Sequence, residues 1–160
     1  MPKNVAELLN YGKALAGLTP ELEAHLQIIA PKLLPHLPRV TDTFYARLIA
    51  LPAAAVFLDS HNVRLDTLKE NHTRWLNGLF TQAIDADFAQ RMTKVGDIHV
   101  GIQLPLNFMT GAMSLINKEL IDVISTEFAS SPNDCAKALK AVIAVTSLAL
   151  IIMQQSYELW

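Results

Sequence analysis

Apolar residues recur at three- and four-residue intervals along nearly the whole chain, and no stretch sustains the period-two alternation of a half-buried strand. The clearest stripe is Leu65, Leu68, His72, Trp75 and Leu79, which predicts a helix over residues 61–81 with Asp59 and Ser60 offering caps. Asp85 caps the next helix, whose inner face reads Phe88, Met92, Val95, His99 and Ile102. Pro105 opens a long helix to about residue 130, with Met109, Met113, Ile116, Leu120 and Val123 in register. Upstream, Thr19-Pro20-Glu21 combines a capping hydroxyl, a proline suited to the first helical position and an acid at the positive end of the dipole. It predicts a helix running to a proline-marked break between Pro31 and Pro38, preceded by a short helix over 3–16 that ends near Gly17. The stretch 36–51 carries Val40, Phe44 and Leu48 on one face and stops before Pro52, where a short turn is expected. Ser131-Pro132 repeats the cap-then-proline pattern and opens a last helix that runs almost to Trp160. Roughly seven helices joined by short turns make an all-α fold.

From 138 to 153 the last helix is apolar on nearly every face apart from Lys140, Thr146 and Ser147. Such a helix is either fully buried or contacts two partners, and its terminal position favours a subunit interface. The uncharged run 141–157 contains Thr146, Ser147, Gln154 and Gln155 and falls short of the roughly 20 apolar residues of a bilayer span, so no membrane partner is expected. Half of all residues are hydrophobic and the net charge is only −2, which excludes a disordered polyelectrolyte and leaves no basic footprint for nucleic acid. One cysteine, Cys135, cannot close an intrachain disulfide, and Met1-Pro2-Lys3-Asn4 does not open a signal peptide. One soluble cytoplasmic domain over 1–160 is expected.

Two histidines, His72 and His99, lie on apolar stripes, whereas His25, His36 and His61 sit near helix ends with polar neighbours and read as solvated. A lone histidine on an apolar face is more often a hydrogen-bonded core residue than a ligand. Neither has a second histidine three or four residues on, and no HExxH or cysteine pair occurs, so a zinc site is not indicated. One imidazole presented by a helix into an apolar pocket is the arrangement haem iron uses, because the porphyrin supplies four further nitrogens. Without Cys-x-x-Cys-His, a haem would be held noncovalently. No flavin or nicotinamide fingerprint is present to supply electrons for turnover.

The segment Arg91-Met92-Thr93-Lys94-Val95-Gly96-Asp97-Ile98-His99-Val100-Gly101-Ile102 resembles the proximal signature of globin-coupled sensors, R-x-x-x-[IV]-G-x-x-H-x-x-[IG]. Thr43-Phe44-Tyr45-Ala46-Arg47-Leu48 is similar to that family's FY segment, His72-Thr73-Arg74-Trp75 to its hxxW, and Pro105 with Gly111-Ala112 to its P…GA segment. Asn107-Phe108 stands where the family often has WY. The resemblance spans roughly residues 20–155 and implies a globin fold enclosing haem b (iron protoporphyrin IX).

It further implies that His99 is the proximal iron ligand, its second ring nitrogen oriented by an acceptor. It puts Tyr45 on the distal side, where a phenolic O–H suits negative charge on a bound diatomic gas such as O₂, CO or NO. Phe44 and Leu68 become distal wall, and Val95 and Ile102 keep the proximal side dry. His72 would meet the haem edge or a propionate, or close a bis-histidine site. Asn71 is a weaker polar contact, and Trp75, Phe57 and Phe80 are core or wall. Gly96 permits a close approach, to the porphyrin or to another helix. Arg64, Lys69, Arg91 and Lys94 offer a propionate partner or a solvated face. The family's sensor domains form homodimers through the last two helices and precede an output module such as a diguanylate cyclase, so this chain is expected to be a sensor, possibly excised from a longer signalling protein, and not itself an enzyme. A haem-less, globin-like interaction module of a stress-signalling protein is the alternative.

Overall fold

A computed structural model describes residues 4–158, which form eight α-helices and no strand. They are α1 (Val5–Ala16), α2 (Pro20–Leu33), α3 (Leu37–Ile49), α4 (Pro52–Ser60), α5 (Leu65–Thr81), α6 (Ala86–Gly101), α7 (Leu106–Glu127) and α8 (Pro132–Glu158). Local chemistry sets several of their starts. Asn4, Thr19 and Asp85 each accept a bond from the backbone N–H three residues on, at 2.9, 3.2 and 3.2 Å. Gly17 ends α1 in the left-handed region at φ 67°, a conformation that costs glycine nothing. Residue 3 of the expected first helix, and residues 159–160 of the last, lie outside the described residues.

Three boundaries differ from the sequence reading. The segment after Pro52 is helix α4, not a turn: a proline that stops one helix is equally suited to begin the next. Asp59 and Ser60 therefore finish α4 instead of capping α5, and the Ser60 hydroxyl donates back to the Phe57 carbonyl at 2.9 Å. Helix α5 begins at Leu65, with no side-chain bond at its Arg64 cap. The break between Pro31 and Pro38 is a single 3-10 turn, Leu34–His36, because α2 continues through Pro31 to Leu33.

Helix α8 is the axis of the fold and packs against α1, α2, α6 and α7. Ala138, Ala141, Val145, Leu148, Ala149 and Ile152 on it are fully enclosed. Ile143 is its one exposed large hydrophobic residue among those described, so burial within this chain accounts for its all-round apolarity without a second subunit. By length and composition alone α8 could cross a membrane, contrary to the expectation that it falls short, yet half of its most apolar window is buried in the fold. The core around it includes Phe80 and Phe88, each contributing about 1.5–3 kcal/mol of transfer free energy.

Small residues let the helices cross closely. A Cβ at Gly96 of α6 would stand 2.5 Å from the Met153 carbonyl oxygen and 2.7 Å from Ser156 Oγ on α8. Of the two partners the sequence allowed for Gly96, a neighbouring helix is the one found. Ser156 Oγ donates to the Thr93 carbonyl at 3.3 Å, and the Tyr157 hydroxyl to the Leu104 carbonyl at 2.8 Å. Together these contacts fix the position of α6, and with it His99.

Candidate functional site

Helix α3 packs on α5 and α7, while α6 packs on α8 and α1. A cavity of about 320 Å³ lies between these groups, within the usual range for ligand pockets. Phe44, Tyr45 and Leu48 of α3 line it, with Leu68, Asn71, His72 and Trp75 of α5. Val95 and His99 of α6 and Ile102 just beyond it complete the lining on that side. The floor comes from α7 through Phe108, Met109, Ala112, Met113 and Ile116, and from Met153 of α8. Helix α4 contributes Ala54, Phe57 and Leu58. All seven residues chosen from the sequence, Phe44, Tyr45, Leu68, His72, Val95, His99 and Ile102, thus meet at one cavity. Phe80 does not; it is sealed in the core.

The polar groups are few. His99 is half-buried, its Nδ1 is enclosed without a partner, and its Nε2 makes no hydrogen bond among the described residues. The acceptor expected to orient this ring is therefore not supplied by a described residue. Burial pushes the His99 pKa down, so the ring is neutral at neutral pH and carries a free lone pair. His72 is held more firmly. Its Nδ1 lies 2.9 Å from Thr41 Oγ1, and its ring stacks on Phe44 at 4.9 Å between centroids. Tyr45 meets it edge-on at 5.5 Å, and Trp75 lies 5.7 Å away. Burial lowers the His72 pKa to about 4, and its Nε2 is enclosed without a partner. Tyr45 is 5% exposed, and burial raises its phenol pKa, so the hydroxyl keeps its proton and can only enter the cavity as a neutral O–H. Asn71 lines the cavity and accepts from Arg74 at 3.3 Å.

Several partners were invisible to sequence spacing. Thr41 and Thr73, whose hydroxyls lie 2.9 Å apart behind His72, come from different helices, and no motif links them. Thr41 does share a helix face with Tyr45, four residues on, and that was the one available signal. His36 is not simply solvated but pairs with Glu127 at 2.7 Å. His61 forms a bridge between two backbone carbonyls, with Nδ1 2.9 Å from the Phe57 oxygen and Nε2 3.0 Å from the Ile102 oxygen, a neutral ring donating to one of them at a time. Asn62 (φ 53°) and Gln103 (φ 60°), next to that bridge, are the two non-glycine residues with left-handed backbone among those described. Nε2 of His25 is enclosed without a partner. Of the four cations named above, Lys69 binds Asp42 at 3.3 Å, and the Arg91 guanidinium sits 6.0 Å from the Phe88 ring.

This donor set discriminates among metal centres. No cluster of three or more His, Cys, Asp or Glu occurs among the described residues, so nothing here matches a protein-coordinated ion. What the cavity offers is one neutral, partnerless imidazole on an apolar wall. That fits a haem, whose iron needs a single protein nitrogen and whose macrocycle needs an apolar slot.

Comparison with known proteins agrees with this geometry. The fold matches the globin domain of the Geobacter sulfurreducens globin-coupled sensor with a TM-score of 0.83 and 27% identity, over 92% of this chain and 96% of that one. It also matches the globin domain of E. coli DosC, in ferric and ferrous forms, at a TM-score of 0.74 and 22% identity, over 92% of this chain and 98% of that one; at that identity the likeness shows the fold alone. The Protoglobin family model matches residues 5–159, and the chain belongs to that family.

Proposed function

We propose that this chain is a haem-based gas-sensor domain, with His99 as the iron ligand and O₂ the primary gas. When bound, the haem supplies a ferrous iron that takes up a diatomic molecule reversibly. The protein's own residues do the rest. His99 presents a neutral imidazole nitrogen from α6. Phe44, Leu68, Val95 and Ile102 keep water out of the cavity, which favours the reduced state of the iron. Tyr45 offers a protonated hydroxyl to negative charge on the gas. His72 closes the α5 side.

A change at His99 has a mechanical route outward, because α6 is locked to α8 at Gly96 and Ser156, and the turn after α6 is tied to α8 by Tyr157. We infer that this route ends at a homodimer interface on the outer faces of α7 and α8 and at an output domain following α8, in a soluble cytoplasmic protein. The domain itself binds and signals without turning anything over. Sensing on these terms requires two states of different gas affinity.

One observation carries the reading: the sole histidine of the α6 stripe lines an apolar cavity with neither ring nitrogen bonded to a described residue. An absorption spectrum of the purified protein tests it. The expected result is a Soret band that shifts when the reduced protein meets air. A colourless protein that takes up no added haemin overturns it, and returns the chain to the haem-less interaction modules.

A further inference from the structure

The second histidine of the cavity is held in a way that haem binding alone does not require. Thr41, whose Oγ1 lies 2.9 Å from His72 Nδ1, is 1% exposed, so bulk water does not reach its hydroxyl. Thr81, Thr93 and Thr126 each donate to the carbonyl four residues back, those of Asn77, Ala89 and Asp122, at 2.7, 2.9 and 3.1 Å. Thr41 makes no such bond. Its oxygen instead accepts from the Thr73 hydroxyl at 2.9 Å. A hydroxyl has one proton to give, and the one acceptor left within reach of Thr41 is Nδ1 of His72.

A neutral imidazole carries one N–H, and with Nδ1 accepting, that proton sits on Nε2. Nε2 is enclosed, has no partner among the described residues, and belongs to a ring that lines the cavity. Phe44 stacked on one side and Tyr45 against its edge leave the ring little freedom to turn over. An N–H without an acceptor in such a place is costly, by about 1–3 kcal/mol, unless something bound in the cavity takes it.

We propose that the Thr73–Thr41 hydroxyl pair fixes His72 as its Nε2–H tautomer, making His72 a hydrogen-bond donor to the electron-rich end of a ligand in the cavity and Thr41 its positioning residue. The identity of that ligand, a haem-held diatomic gas with negative charge on its outer atom, rests on the function proposed above; the tautomer does not. A donor here favours O₂ over CO, since O₂ gathers more negative charge when bound. The assignment also sets the ring against a competing use of the same nitrogen. To ligate iron, Nε2 must surrender its proton to Nδ1, and Thr41 would then have to give up its donor bond to His72 and accept from Nδ1–H instead.

Two measurements test this on the full chain. In ¹H–¹⁵N spectra of histidine-labelled protein as purified, His72 is expected as one species, protonated at Nε2 and unprotonated at Nδ1. Thr41→Val, close to isosteric, should mix or invert the tautomers, and Thr41→Ser should restore them. In stopped-flow experiments on the reduced haem protein, Thr41→Val should speed O₂ release about fivefold, the worth of one neutral hydrogen bond, with a much smaller change for CO. Thr41→Ser should again lie near the parent. A proton on Nδ1 in the parent overturns the proposal. So does a six-coordinate low-spin spectrum of the gas-free protein that disappears in His72→Leu. A colourless protein with His72 protonated at Nε2 sinks the haem reading and leaves the tautomer supported.

Discussion

The cavity's two histidines come from the same kind of helical stripe, and the structure treats them in opposite ways. His72 on α5 is pinned: one ring nitrogen is bonded to Thr41, one ring face is covered by Phe44 and its edge by Tyr45. His99 on α6 is loose at the ring and firm at the backbone. Neither of its nitrogens finds a described partner, while its helix is clamped to α8 through Gly96 and Ser156 and the turn that follows it through Tyr157. An enclosed polar atom without a partner costs about 1–3 kcal/mol, a cost that a fold bears where something else will supply the missing bond. The α5 wall thus fixes its imidazole with the protein's own groups and leaves only Nε2 to what binds, whereas the α6 wall leaves both ring nitrogens to it.

That contrast can be broken or sharpened by experiment. The largest effect belongs to His99→Ala, expected to abolish the Soret band while the melting temperature of the haem-free protein stays nearly unchanged, since no protein group loses a partner. An intact spectrum would end the assignment. Acid should act chiefly on the other wall. The His72 pKa is about 4 in the fold against an ordinary 6.5, so on acidification the unfolded chain takes up a proton that the folded chain refuses. Its contribution is fully present above about pH 6.5 and is lost as pH falls toward 4, by on the order of 3 kcal/mol. Denaturant midpoints measured across that window should show the slope, and His72→Phe should flatten it; equal slopes would mean that His72 is not the group titrating.

Gly96→Ala should come next, at about 1–3 kcal/mol, because the new methyl meets a backbone carbonyl that cannot step aside. Thermal melts would report it, and an unshifted melting temperature would mean that the α6–α8 crossing is slacker than drawn. The smallest effect is that of Tyr45→Phe. We expect O₂ release to quicken severalfold with thermal stability unmoved, the loss of one hydrogen bond to the gas. An unaltered release rate would remove Tyr45 as a donor and leave that role to His72.

The parts of this molecule that could be read along the chain are those governed by residues close in sequence. Thr19 and Asp85 cap their helices as expected because a cap is a bond between a side chain and a backbone N–H three residues away. The stripes carrying Tyr45, His72 and His99 were equally plain, since a 3.6-residue period shows which side chains share a face. Helix α4 was hidden because Pro52 signals an end and a beginning alike. His36 and His61 were read as solvated because their partners, Glu127 and the Ile102 carbonyl, lie 91 and 41 residues away.

The last helix meets the same limit. A chain apolar on all faces looks alike whether its neighbours come from its own fold or from another subunit.

The amino-acid order alone determined an all-α chain, the helix each candidate side chain rides on, and the motif that singles out His99. Only the packing of those helices decided that the chosen residues share one cavity, that α8 is its hidden axis, and that the two buried imidazoles differ. The reason is physical. Helical period and capping are written in neighbours a turn apart, whereas the protonation, orientation and partnering of a buried ring depend on atoms brought to it from distant helices. Thr41 reaches His72 across 31 residues of sequence and 2.9 Å of space, and no local pattern encodes that meeting.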